Sequence, residues 1–154
     1  MTPPVIHKSF TLERTYPTSP ARVFLAMSDP RKKRRWFAEG EGFIVDSYSL
    51  DFKVGGFERT RFRFGDGPEM TNDCVYLDIV ENTRLVFAYS MTLGGAPMSS
   101  SLGSMEFIPV PAGTLLRLTE HTAFVDGNDG SEGRREGTRE LLESLARELD
   151  AHPE

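Results

Sequence analysis

Residues 7–16, HKSFTLERTY, set Phe10, Leu12 and Tyr16 on one parity and Ser9, Thr11 and Thr15 on the other, the two-residue period of a half-buried strand. The period then changes. In TSPARVFLAM, Ser19 stands as an N-cap and Pro20 as the first helical residue, and Val23, Phe24 and Met27 recur at helical spacing, which predicts a short helix. Asp29 and Pro30 repeat that start, so RKKRRWF reads as a second short helix before AEGEG, residues 38–42, releases the chain.

From Phe43 to about Phe124 alternation returns. Tyr48, Leu50, Phe52 and Val54 share a parity up to Gly55-Gly56, and FERTRFRF restarts with Phe62 and Phe64 on one side and Arg59, Arg61 and Arg63 on the other, the signature of a hairpin. CVYLDIV, the turn at Asn82-Thr83 and RLVFAYSM, with Leu85, Phe87, Tyr89 and Met91 on one face, predict a second hairpin. GGAPMSSSLGS reads as a Gly/Ser-rich connection. Met105 and Phe107 then begin a strand interrupted by Pro109, Pro111 and Gly113, and TLLRLTEHTAF closes the strand pattern.

The last segment becomes helical, with a capping box expected from Asp129 to Glu132 and an ion pair from Glu143 to Arg147. Leu141, Leu142, Leu145 and Leu149 form one apolar stripe with Ala146 beside it. That stripe needs a partner and the sheet needs a cover. The expected architecture is therefore α+β: a curved antiparallel sheet of six or seven strands packed on a long C-terminal helix. Two short helices follow the first strand, in a single domain over residues 1–154.

Composition narrows the function classes. The 154 residues suffice for one core and one site, and 18 Lys+Arg against 23 Asp+Glu give a net charge of −5, which disfavours a nucleic-acid partner. No apolar stretch approaches the roughly 20 residues needed to cross a bilayer, so no membrane insertion is expected. Cys74 is the only cysteine, which excludes an intrachain disulfide and a Cys-rich zinc site. Since the N-terminus also lacks an apolar leader, a cytoplasmic location is expected. His7, His121 and His152 are far apart and outside any HExxH motif, and no phosphate-cradle or dinucleotide motif is present. The expectation is neither a metal nor a cofactor.

The order of the motifs adds a resemblance. The Arg14 strand with SPARVFLAMSDP, Trp36-Phe37, DFKVGGFE, YLDIVENTRLVFAYS, GTLLRLTEH and REGTRELLESLAREL run through essentially the whole chain. Together they resemble the START-like, or SRPBCC, superfamily, specifically the bacterial family similar to the C-terminal domain of the activator of the ninety-kilodalton heat-shock chaperone ATPase. The resemblance implies a helix-grip fold with a cavity between sheet and helix, where many relatives hold small hydrophobic or amphipathic ligands. It does not fix activity, since the superfamily includes carriers, cyclases, hydrolytic resistance proteins and chaperone cofactors. Members of the family often carry Trp after the glycine that opens the last helix, where this chain has Gly137-Thr138.

The excess of strand aromatics, among 11 Phe, four Tyr and one Trp, makes a ligand-lined interior the leading expectation. Candidate ligand-binding residues are Trp36, Phe37, Phe52, Tyr76, Tyr89, His121, Phe124, Leu141 and Leu145. His121 follows Glu120, but adjacent strand residues face opposite ways and cannot pair directly, so catalysis would need a spatial partner such as Tyr89, Asp51 or Glu106. Arg31 to Arg35 reads as a solvated helix rim and Cys74 as a buried thiol. Arg59, Arg61 and Arg63 read as an exterior stripe, open to a partner or matched by neighbouring carboxylates. The expected function is binding of a small hydrophobic or amphipathic molecule. The alternatives are a chaperone-cofactor-like interaction module with a solid interior, and a small-molecule cyclase, lyase or hydrolase. Self-association through the sheet edges or the 93–103 segment stays open.

Overall fold

The computed structural model describes residues 2–39 and 42–153, so the expected release at AEGEG lies partly outside the described residues. A strand β1 (Ile6–Tyr16) is followed by helices α1 (Pro20–Ser28) and α2 (Pro30–Lys33) and a π-helical turn, Arg34–Ala38. Then come β2 (Phe43–Leu50), β3 (Phe57–Phe64), β4 (Met70–Val80), β5 (Arg84–Leu93), β6 (Ala96–Val110), β7 (Gly113–Phe124) and the long helix α3 (Ser131–Ala151). The seven strands form one antiparallel sheet in the order β1-β7-β6-β5-β4-β3-β2. Hairpins link β2 through β7, and the α1–α2 excursion carries the chain from β1 at one edge to β2 at the other. Register shifts at Val45/Ser47, Tyr76/Asp78 and Met91/Thr92 place bulges that bend the sheet. This is the helix-grip fold.

The local starts follow the sequence at α1 and α2. Ser19 Oγ accepts from Arg22 N at 3.3 Å, and Asp29 Oδ1 accepts from Arg31 N and Lys32 N at 2.9 and 3.2 Å. α3 differs. Gly130 occupies its cap position without a side-chain cap, and Asp129 instead binds the backbone and hydroxyl of Ser131, so the capping box does not form. Glu143 pairs with Arg14 of β1 while Arg147 donates to Ser144. A tertiary partner has displaced the expected pair along the helix.

GGAPMSSSLGS is strand rather than connection. Gly94 and Gly95, at φ 58° and 84°, make the tight turn by themselves. Beyond it Ser99, Ser101 and Gly103 are buried while Ser100 and Leu102 are exposed, the alternation of a strand carrying small side chains. Pro97 sits where β6 slips against Met91/Thr92, a position at which a missing N–H is tolerated. The 93–103 segment is therefore a tight turn leading into β6 rather than a long connection.

The tight core gathers on the β1–β7 side, where Leu12, Tyr16, Val23, Met27, Leu116, Leu142 and Leu145 join one buried cluster. Tyr16 Oη donates to the Leu142 carbonyl at 2.8 Å and anchors α3 to β1. Arg59, Arg61 and Arg63 stand on the other face of β3. Arg61 pairs with Asp73 at 2.8 Å and Arg63 with Asp46 at 3.1 Å, while Arg59 covers the Phe57 ring. The bland expectation for that stripe holds at Arg61 and Arg63.

Candidate functional site

Because side chains alternate along each strand, the registers fix which residues share the concave floor. One cross-strand row runs Glu58, Cys74, Tyr89, Ser101, Thr122, and all five are buried. On one side lies the row Thr60, Asn72, Met91, Ser99, Phe124, and on the other Tyr76, Phe87, Gly103, Glu120. A largely polar row thus crosses a floor that mixes aromatic and thioether side chains with Thr60, Asn72, Ser99 and Glu120. Above it, Met27, Lys33, Trp36, Phe37 and the α3 residues Arg134, Gly137, Thr138 and Leu141 complete a cavity of about 510 Å³.

One buried carboxylate, Glu58, ends the largely polar row, and a second, Glu120, lies in the neighbouring row near its other end. Glu58 accepts from Lys33 Nζ at 3.1 Å, Tyr76 Oη at 2.7 Å and Tyr48 Oη at 2.5 Å. The Lys33 ammonium also lies 5.4 Å from the Trp36 ring centre and 4.5 Å from that of Phe37, a cation–π arrangement that compensates part of its desolvation. Burial, reinforced by the Glu58 charge, holds the Tyr76 hydroxyl well above its ordinary pKa. At the far end Glu120 accepts from Tyr89 Oη at 2.5 Å. Burial raises the Glu120 pKa, against the lowering effects of the Tyr89 bond and the Arg134 charge.

Arg134 reaches from the first turns of α3 to this second end. It donates to Tyr89 Oη at 3.2 Å, Ser101 Oγ at 3.4 Å and Ser99 Oγ at 2.8 Å, and lies over the Tyr89 and Phe124 rings. Cys74, between the ends, is a buried thiol pushed up to about 12, chiefly by burial. That state keeps it from acting as a thiolate nucleophile. Thr60 Oγ1 is buried without a hydrogen-bond partner.

Of the residues expected to line a pocket, Trp36, Phe37, Tyr76, Tyr89, Phe124 and Leu141 border the cavity. Phe52 stands behind it, edge-on to Tyr76 at 5.0 Å and to Phe24 at 5.6 Å. Leu145 belongs to the closed core, and Leu142 borders the cavity beside Leu141. His121 requires a correction. Glu120 takes the concave side, so His121 points out of the convex face, exposed and in register with Ser9 and Leu102. The other proposed acid–base partners also lie apart, with Asp51 near Lys53 and Glu106 near Arg117.

The basic run is corrected too. Lys33 turns inward to Glu58, and Arg35 grips buried Glu148 through Nε and Nη2 at 3.0 and 2.6 Å. The π-helical turn that follows α2 alters the side-chain phase, which the 3.6-residue period does not anticipate. Glu58 and Arg134 were also missed, although both left a signal. Glu58 shares the parity of Phe62 and Phe64, and Arg134, Thr138, Leu141 and Leu145 recur at helical spacing. Among the described residues no group of three or more His, Cys, Asp or Glu is placed to hold a metal, and no helix is long and apolar enough to cross a membrane.

A family model described as Activator of Hsp90 ATPase homolog 1-like protein matches residues 17–150. A crystal structure of a protein from Rhizobium loti is 51% identical, covers 95% of this chain and 99% of its own, and superposes with a TM-score of 0.89. A putative uncharacterized protein from Rhizobium leguminosarum is 37% identical over 97% of this chain and 98% of its own, at a TM-score of 0.93. The solution structure of an AHSA1-like protein from Aeromonas hydrophila, 19% identical over 94% of this chain and 93% of its own at a TM-score of 0.69, shares the fold. No match was found among curated proteins.

Proposed function

The chain belongs to the Activator of Hsp90 ATPase homolog 1-like family, and from that premise we propose that it binds one small, largely apolar molecule in the cavity between the sheet and α3. The observation that carries this reading is the cavity itself. Its volume of about 510 Å³ falls in the range of pockets that enclose a small ligand, and its walls have the composition of such pockets, apolar and aromatic with a few polar groups. Met70, Met91, Met98 and Met105 border it, and thioethers repack around ligands of different shape.

A role in orientation, rather than in a chemical step, suits the polar groups. Burial raises both the Tyr89 hydroxyl and the Glu120 carboxyl, which favours their uncharged, hydrogen-bonding forms. Lys33 and Glu58 are engaged with each other. The chaperone-cofactor reading rested on a solid interior and a free basic rim; the cavity and the inward turn of Lys33 take support from both.

The test is native mass spectrometry of the protein purified without denaturant, followed by a titration with the neutral dye Nile red. Retained small-molecule mass, or saturable dye fluorescence at one site per chain, supports the reading. Absence of both, with protein that remains folded by circular dichroism, overturns it.

A further inference from the structure

Two cations border the cavity, and they are not equivalent. Lys33 is committed to Glu58 at 3.1 Å. Arg134 donates to the neutral oxygens of Tyr89, Ser99 and Ser101 and lies over the Tyr89 and Phe124 rings, with no carboxylate within ion-pair distance among the described residues. A guanidinium carries five N–H donors in one plane. Three bonds to the floor fix that plane, and the donors left over have no acceptor among the described residues.

Building on the ligand-binding reading above, we propose that the cavity takes an amphipathic monocarboxylate, with its carboxylate against the Arg134 guanidinium and its apolar body toward Met91, Trp36, Phe37 and Leu141. A planar carboxylate matches the guanidinium fork and gains charge-assisted hydrogen bonds. The hydroxyls of Ser99, Ser101 and Tyr89 hold the fork before the ligand arrives, so little side-chain freedom is lost on binding. Two acidic groups border the same end of the cavity, Glu120 and Asp126. Arg134 brings one positive charge to the ligand, which suits a single negative charge rather than a dianion. Burial favours the uncharged form of Glu120, which reduces its competition for Arg134.

The rest of the lining sets the remainder of the molecule. Phe124 lies under the Arg134 guanidinium, and Met91, Met98, Trp36, Phe37 and Leu141 border the rest of the cavity. A ligand charged at both ends finds no second unpaired cation there.

The experiment is calorimetric titration with two matched pairs, decanoate against decanamide and naphthalene-2-acetate against naphthalene-2-acetamide, on the wild-type chain and on Arg134→Gln. The expected result is roughly tenfold tighter binding of the acid in at least one pair. In Arg134→Gln that preference falls to within about twofold, with circular dichroism and the urea midpoint showing that the variant is folded. Arg134→Lys should keep part of the preference, because it keeps the charge and loses the fork. Equal binding of acid and amide by the wild type, or a preference that survives Arg134→Gln, overturns this inference and leaves the cavity reading standing. If neither acids, amides nor Nile red bind, both fall.

Discussion

Lys33 Nζ stands 3.1 Å from Glu58 Oε1, with the two side chains only 6% and 4% exposed, and this contact ties α2 to the third strand of the sheet. Both charges have left water, so the pair is net favourable only because further groups complete it: Tyr76 and Tyr48 on Glu58, and two aromatic rings under Lys33. Removing one partner leaves the other buried and uncompensated. Lys33→Met and Glu58→Gln should each destabilise the fold by about 3–5 kcal/mol. The double variant should lose less than the sum of the two. Urea denaturation of the four proteins measures the coupling, and single losses under about 1 kcal/mol would mean that water reaches the pair.

Gly103 lies beneath the Phe87 ring so closely that a Cβ at 103 would stand 2.5 Å from the ring carbons Cε2 and Cζ. Phe87 in turn lies between Tyr76 and Tyr89 on the floor, with ring centres 6.5 and 6.2 Å away. Gly103→Ala must push that ring, and the space available is the cavity. A cost of about 1–3 kcal/mol is expected in thermal or chemical denaturation, together with weaker Nile red binding. Adding Phe87→Leu should recover part of the stability by withdrawing the ring. An unchanged melting curve for Gly103→Ala would show that the floor is loosely packed there.

The fold was largely legible because its signals are periodic. β1, β3, β5 and β7 keep a two-residue alternation between core and solvent, and the leucines of α3 keep a helical one. β6 was obscured because its inward residues, Ser99, Ser101 and Gly103, are small and polar. They read as a loop in isolation and as a floor only once Phe87 and Arg134 lie above them. The aromatic half of the site was readable from parity, which places Tyr76, Tyr89 and Phe124 inside. The charged half was not, because Lys33 reads as inward only once Glu58 of β3 lies beside it, and assigning Arg134 a role depends on which strand its helix crosses. His121 attracted attention as a titratable residue although its neighbour Glu120 held the inward position.

Glu120 makes stability depend on pH in a predictable direction. Its folded-state pKa is raised by burial, so the folded chain binds its proton more tightly than the unfolded chain does. Stability from this group is fully present below the ordinary glutamate range and is lost as pH rises through the folded-state value. Glu120→Gln keeps an acceptor for the Tyr89 hydroxyl and removes the titration. The variant should therefore gain stability over the wild type as pH is raised from 4 to 8, by comparison of urea midpoints at each pH. A constant difference across that range would show that Glu120 has the same pKa folded and unfolded.

Gly137 separates the packing role of α3 from its role as a cavity wall. It lies within the helix and borders the cavity, and a Cβ built on it meets nothing within 4 Å. Gly137→Ala therefore brings no clash and removes unfolded-state freedom, so it should stabilise the chain by about 0.5–1 kcal/mol. Gly137→Trp adds a ring for which the cavity is the nearest large space. Its expected signature is an unchanged or raised melting temperature with Nile red binding weakened at least tenfold, because the indole occupies volume the dye would fill. If the tryptophan variant binds the dye as the wild type does, the ring has turned to solvent and the ligand lies farther along the floor, toward β3 and β4. If the alanine variant already weakens binding, the bare face of α3 touches the ligand directly, and residue 137 sets how large a molecule the cavity accepts.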